Sequence, residues 1–384
     1  PDLNDPEEAA LAVEASDYML AYLKNKDNNF QYRAQCPTVI SKLLGRVESG
    51  PAEAGAEGAG PAPGSPAAKA AAIRANAVQE FLKVLTGDDH NMVTQSCVLA
   101  LGQMADPQDE KVLQVLAKTA EGDLAKDVQA RNFANMAIAH LGTDQARTYL
   151  LKRLVRKSLK REKPWIAMGL GIMIRRKIQA EEENLNKASL GDVLLQSFQD
   201  MKTPKWKAGF AVALGLLDYK EAGPFLQNEM EESRHATLRG YCAVGLGLMK
   251  YGAAKEAMNR VLKKSVRQPE LLQQVAIGLG LLGDKSVVQT LVQMLREGSE
   301  SLAYQSALAS GLGFVGDKTA INPLVDMLRN KDLTDLSRAF AAVALGIVAD
   351  KEDLPWNNKI GFGLNYRANV ETLTGSSTGV LDLL

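Results

Sequence analysis

Glycine recurs along this 384-residue chain at a spacing close to one helical hairpin, and that period constrains the fold more than any other feature. At 275–287 the sequence reads VAIGLGLLGDKSV, so Gly278, Gly280 and Gly283 spell G-x-G-x-x-G, the pattern of a dinucleotide-binding loop. Thirty-three residues further on, Gly311, Gly313 and Gly316 spell it again. A nucleotide site needs one such loop, whereas a repeat architecture produces many. Aligned on the second glycine, the chain yields Gly102, Ala139, Gly171, Gly215, Gly247, Gly280, Gly313 and Gly346, at steps of 37, 32, 44, 32, 33, 33 and 33 residues. Seven of these eight positions follow a leucine, and six have alanine four residues earlier, from Ala167 to Ala342.

The dinucleotide reading fails on context. These glycines lie in or at the end of apolar helical stretches, not between a Val/Ile-rich strand and a helix start. Positions four apart share one helix face, so Ala-x-x-Leu-Gly makes a small-residue stripe beside a large knob. A mid-helix glycine costs about 1 kcal/mol against alanine, and close approach of a neighbouring helix would offset that. Gly283 and Gly316 suit a helix C-terminus that needs positive φ, and Asp284, Asp317 and Asp350 suit the N-cap of a following helix. The second helix of each unit carries apolar pairs four apart: Leu150/Leu154, Leu194/Phe198, Leu226/Met230, Met258/Leu262, Leu291/Leu295 and Leu324/Leu328. With aromatic content of only 5% and no alternating Val/Ile/Thr run before the last 30 residues, an all-α fold is expected.

A unit of this length with Arg-x-x-Ala-x-x-x-Leu-Gly and then a Gly-Asp turn resembles the HEAT-like repeats of the phycobilisome-lyase type. The match is clearest at 336–353 (LSRAFAAVALGIVADKED) and 237–257, and Arg131, Arg239 and Arg338 stand eight residues before their glycine or alanine, while Leu272 and Gln305 depart from the pattern. The resemblance spans roughly residues 75–351 and implies a right-handed α-solenoid of about eight HEAT-like hairpins, each touching only its neighbours. The repeat itself, in a sequence that spells no catalytic set, leads to the expectation of a non-enzymatic scaffold or adaptor that binds protein partners through its concave groove and inserted loop. The relatives that attach bilins to client proteins supply an alternative, a tetrapyrrole lyase-like role, and HEAT-like nucleic-acid-binding proteins supply another. The last segment, LPWNNKIGFGLNYRANVETLTGSSTGVLDLL, looks like the C-terminal ends of bacterial HEAT-repeat proteins that are exported to the periplasm or cell envelope.

Four regions are expected: a helical segment at 1–46 with Asp5 and Pro6 opening a helix, a Gly/Ala/Pro-rich flexible linker at 47–74, the solenoid at 75–351, and a capping tail at 352–384. The 44-residue step places an inserted loop near 175–192. In the tail, Trp356, Ile360, Phe362, Leu364 and Tyr366 nearly alternate, and an extended strip laid over the last repeat would cap its apolar face. Zero net charge does not advertise nucleic acid or membrane as a general partner, and no apolar run reaches the ~18 residues that span a bilayer. The start at Pro1 fits either a mature form or a trimmed chain. Cys36, Cys97 and Cys242 show no C-x-x-C spacing, so neither a disulfide framework nor a thiolate zinc site is expected.

No catalytic, cofactor or metal constellation is spelled. His90, His140 and His235 form no i, i+4 pair, and none is followed by Glu, so the His-Glu pairs of di-iron HEAT-repeat hydroxylases are absent. Trp165 and Trp206 read as packing knobs. One local signal stands out: eleven basic residues between Arg147 and Lys177, opposed by Glu162 alone. With Leu150 and Leu154 in the core, Lys152, Arg153, Arg156 and Lys157 are expected to fan across the exposed side, continued by Lys160, Arg161, Arg175, Arg176 and Lys177. Such a band suits an acidic peptide, a phosphate-bearing polymer or an acidic glycan. The competing reading is a solvated helix balanced by Glu181, Glu182 and Glu183.

Overall fold

The computed structural model describes residues 6–44, 64–87, 89–180, 187–284, 286–297 and 301–351; these are helices and short turns, with no strand among them. They fall into two compact units that divide at Met173/Ile174.

The first unit holds α1 (Pro6–Lys24), α2 (Phe30–Arg33), α3 (Cys36–Leu44), α4 (Pro66–Thr86), α5 (Asn91–Met104), α6 (Glu110–Glu121), α7 (Val128–Leu141), α8 (Asp144–Leu154) and the beginning of α9 (Lys163–Gln179). α3 packs on α5 as α5 packs on α7, so α3 is a further first helix that precedes the glycine ladder. The N-terminal segment is thus part of the same stack, tied in by Thr38 to Ser96 at 3.0 Å and Ser41 to Gln103 at 2.8 Å. The expected linker ends earlier than 74. Ser65 accepts a hydrogen bond from the Ala68 amide, Pro66 takes the first helical turn, and an Ala-rich run of high helix propensity carries α4 onward.

The second unit holds α10 (Lys187–Asp200), α11 (Pro204–Leu216), α12 (Gly223–Glu232), α13 (Ala236–Leu248), α14 (Lys255–Lys264), α15 (Pro269–Leu282), α16 (Val287–Glu297), α17 (Leu302–Val315), α18 (Ile321–Arg329) and α19 (Asp335–Lys351). Its first helices stack in order, α11 on α13, α13 on α15, α15 on α17 and α17 on α19, with the second helices packed behind them. The insertion expected at 175–192 is mostly helix: α9 runs to Gln179 and α10 starts at Lys187, so the extra residues lengthen two helices. Asp350, expected to cap a new helix, lies within α19. The tail at 352–384 and Glu181, Glu182 and Glu183 lie outside the described residues.

The small-residue ladder is where consecutive first helices touch backbone to backbone, and it has a fixed register. A Cβ on Gly215 would lie 2.5 Å from the Gly245 carbonyl oxygen, and one on Gly245 would lie 2.4 Å from the Ala211 carbonyl oxygen. One hairpin on, a Cβ on Gly247 would run into the Gly278 carbonyl oxygen, and one on Gly278 into the Ala243 carbonyl oxygen. In the first unit Gly102 sits against Ala137 at 2.6 Å, and Gly169 against Asn135 and Ala139. The ladder residue of one helix therefore opposes the residue two before the ladder position on the next, which opposes the residue four before it on the first. Contact from a built Cβ loosens towards the C-terminus, to 3.0 Å at Gly280 and 3.2 Å at Gly313, and Gly346 has nothing within 4 Å among the described residues. Gly171 is buried in α9.

Turns follow the same register. Gly142, Gly283 and Gly316 end their helices at φ +74°, +91° and +66°, and at the equivalent positions Asp218 and Lys250 hold φ +56° and +53°. Asp317 accepts from the Thr319 amide at 2.9 Å, and Asp284 accepts from the Ser286 amide at 3.1 Å. Arginines brace successive helices by donating Nε to a carbonyl in the last turn of the preceding helix, where the helix dipole favours a cation. Arg33 reaches Leu23 at 2.9 Å, Arg74 reaches Leu44 at 2.6 Å, Arg239 reaches Met230 at 2.7 Å and Arg338 reaches Leu328 at 2.8 Å. In α16 and α18 the buried partners of Leu291 and Leu324 are Met294 and Met327; Leu295 and Leu328 are half-buried.

Candidate functional site

The basic segment begins on α8, whose N-cap Thr143 accepts from the Ala146 amide and whose Ala146, Leu150 and Leu154 are buried. Arg153 corrects the expectation of an exposed fan. Its side chain is 3% exposed, because Leu150, Arg153 and Leu154 share one helix face and that face is the core. Burying a guanidinium requires partners for its donors, and Nε and Nη2 have them, while Nη1 lies 3.9 Å from Glu121 Oε1. Nε donates to Asn135 Oδ1 on α7 at 3.1 Å, and Nη2 donates to the Ala120 carbonyl at the end of α6 at 3.0 Å and to Glu162 Oε2 at 2.6 Å. Tyr149 lies 5.7 Å below the guanidinium and donates its hydroxyl to the Ala117 carbonyl at 3.1 Å; burial pushes this phenol up to about 12, so it stays protonated. Arg153 is a brace joining α6, α7, α8 and the chain before α9, and it is not available to a partner.

The brace changes the charge count. Glu162, the one acid within the band, is engaged by Arg153. Lys152, Arg156, Lys157, Lys160 and Arg161 are exposed on the end of α8 and on the 3-10 turn at Lys157–Leu159, and none makes an ion pair among the described residues. Val155 stands among them, 65% exposed. A ten-residue surface segment therefore carries five like charges around one apolar side chain, and Glu162 fixes its far end. Arg175, Arg176 and Lys177 are half-buried on the part of α9 that belongs to the second unit.

The other aromatic and histidine residues singled out by sequence lie apart from one another along the fold. Trp165 is buried, edge-on to Phe133 with ring centroids 5.8 Å apart, and Trp206 is half-buried. His140 is buried in α7, His235 precedes α13, and His90 caps α5 with Nδ1 accepting from the Met92 amide at 3.3 Å. Among the described residues no three His, Cys, Asp or Glu side chains converge as metal ligands would, and no helix is long and apolar enough to cross a membrane.

Sequence reasoning missed a buried ion pair in the first unit. Arg33 Nη1 and Nη2 grip Asp89 Oδ1 and Oδ2 at 2.9 and 2.7 Å, with each side chain 4% exposed. The pair walls a cavity of about 180 Å³ that Lys24, Glu80, Lys83 and Val84 also line. The signal available was an arginine and an aspartate in runs otherwise free of a local partner, 56 residues apart, which no periodicity connects.

No family model matches the chain, and no curated protein matches it. Among solved structures it is similar to human deoxyhypusine hydroxylase in complex with glycerol, at 15% identity and a TM-score of 0.31, covering 88% of this chain and 97% of that one. A similarity of that degree carries no argument about activity.

Proposed function

We propose that this protein is a non-enzymatic scaffold built of HEAT-like repeats, and that it binds acidic segments of partner proteins through the surface formed by Lys152, Arg156, Lys157, Lys160 and Arg161. The observation that carries this reading is the division of labour at Arg153. One arginine, buried and paired through Nε and Nη2, removes the only carboxylate of the segment from competition, while five neighbouring cations stay solvent-facing and unpaired among the described residues. Like charges held this close repel one another, and an acidic strand laid across them relieves the repulsion. Val155 adds an apolar contact at the centre of the patch. Stacked hairpins favour such a role, because each buries its core on its neighbours and leaves a long outer surface free for partners.

The test is fluorescence anisotropy of a labelled Asp/Glu-rich peptide of about a dozen residues at two salt concentrations. Reversing four charges (Lys152→Glu, Arg156→Glu, Lys157→Glu, Lys160→Glu) removes about 0.2–1 kcal/mol per contact and adds repulsion, so binding should weaken at least tenfold while the thermal midpoint stays put. Wild-type affinity should also fall as salt rises. Equal binding by the two proteins would refute the assignment. Preferential binding of duplex DNA over the peptide would replace it with the nucleic-acid reading.

A further inference from the structure

The end of the stack presents a repeat face with no repeat on it. In α19, Ser337, Ala341, Ala344 and Val348 are buried, and a Cβ built on Gly313 of α17 would lie 3.2–3.3 Å from Ile347 and Ala344. The opposite side carries Leu336, Ala339, Val343 and Gly346, at intervals of three and four, and all are exposed; Leu336 is 52% and Val343 58% accessible. Gly346 is the ladder position. At Gly215 and Gly247 that position lies within 2.5 Å of the following helix's backbone, counted from a built Cβ, whereas at Gly346 nothing among the described residues lies within 4 Å. The face is continuous with the interface that joins the earlier pairs of first helices in this unit, and no further first helix packs on it among the described residues.

We propose that residues 352–384 of the same chain occupy this face, with Ile360, Phe362, Leu364 and Tyr366 set against Leu336, Ala339, Val343 and Gly346. Length and position support this occupant. The segment begins directly after Lys351, the last residue of α19, and supplies 33 residues. The exposed stripe from Leu336 to Gly346 is about 15 Å long at 1.5 Å per residue. An extended 360–366 would measure about 20 Å, and its four apolar side chains would share one side because a strand alternates faces. Eight residues, 352–359, connect the two and reach up to about 26 Å, enough to double back along the helix. A tethered segment also has a far higher effective concentration at this face than any free partner.

The experiment uses full-length protein, whose cysteines Cys36, Cys97 and Cys242 are all buried. In Val343→Cys/Phe362→Cys, mild oxidation should give an intramolecular disulfide whose yield does not depend on protein concentration. The control Val343→Cys/Ser376→Cys should give at least fivefold less. Equal yields would mean random collision of a tethered chain, and a disulfide-linked dimer would mean a second copy on the face; either result overturns the proposal, as does absence of the bond. Independently, the iodoacetamide reaction of Val343→Cys should quicken at least fivefold when Phe362→Asp and Tyr366→Asp are added. An unchanged rate overturns the proposal as well.

Discussion

Replacing Gly247 by alanine tests the interlocking register directly, because the physics sets two terms of opposite sign against each other. The added methyl removes a helix-interior glycine, which is worth about 1 kcal/mol in favour of the variant. Against this, its carbon would sit 2.2 Å from the Gly278 carbonyl oxygen and 2.9 Å from the Gly278 Cα and carbonyl carbon, all backbone atoms of α15. Relief to ordinary contact requires α13 and α15 to part by about 1 Å, and a gap of that size forfeits a quarter to a half of each dispersion contact across the interface. Overpacking of this kind costs about 1–3 kcal/mol, so the net effect is a loss of up to about 2 kcal/mol. Gly313→Ala is the internal standard. It gains the same helical term, but its nearest neighbours lie at 3.2–3.3 Å and need yield by only a few tenths of an ångström. That variant should be neutral or slightly stabilised. Urea unfolding followed by far-UV circular dichroism measures both, and thermal midpoints should separate by several degrees at roughly 2–4 °C per kcal/mol. If Gly247→Ala proved as stable as Gly313→Ala, the close approach of α13 to α15 would not be what the glycine is for.

Two further predictions concern charge and backbone. Asp89→Asn leaves Arg33 buried without its counter-charge and should destabilise the first unit by about 3 kcal/mol or more at pH 7. Burial pushes the Asp89 carboxyl up, but hydrogen bonds from Arg33 and from the His90 amide outweigh it and hold the group below the ordinary carboxylate range. Its stabilisation is therefore complete above the unfolded value of about 3.9 and is lost as pH falls through the lower folded value. The gap between wild type and Asp89→Asn in urea midpoint should be constant from pH 7 to 5 and close below about 4; a gap that widened on acidification would contradict the sign. Lys250→Gly releases a non-glycine residue from φ +53° at a turn where Gly283 and Gly316 serve in other hairpins. It should raise stability by about 1 kcal/mol in thermal unfolding, less the hydrogen bond from Lys250 Nζ to the Leu281 carbonyl; a lowered midpoint would show that this bond outweighs the strain.

What was legible in this sequence was what repeats. A helix face that must meet the same kind of neighbour every 33 residues writes the same small residues at the same offset, so the ladder glycines Gly215 and Gly247 and the turn glycines Gly283 and Gly316 could be placed without coordinates. The α4 start at Ser65-Pro66 was equally written, but a surrounding Ala/Gly/Pro bias hid it. Singular features were not legible, because nothing in the pattern repeats to reveal them. Arg33 and Asp89 are joined only by folding, and Gly346 spells the same ladder position as Gly215 and Gly247 yet has no neighbour within 4 Å among the described residues. Arg153 is the instructive intermediate case. It sits three residues after Leu150 and beside Leu154, so the helical period alone assigns it to the core; the reading of it as exposed came from treating every cation as surface. A charged residue on a repeat's apolar stripe has to carry its counter-charge inside with it. The carboxylate it takes is then subtracted from the surface. Counting basic residues along the segment therefore overstates the patch by Arg153 and understates its bareness by Glu162. That second correction leaves Lys152, Arg156, Lys157, Lys160 and Arg161 without an acidic partner from their own segment.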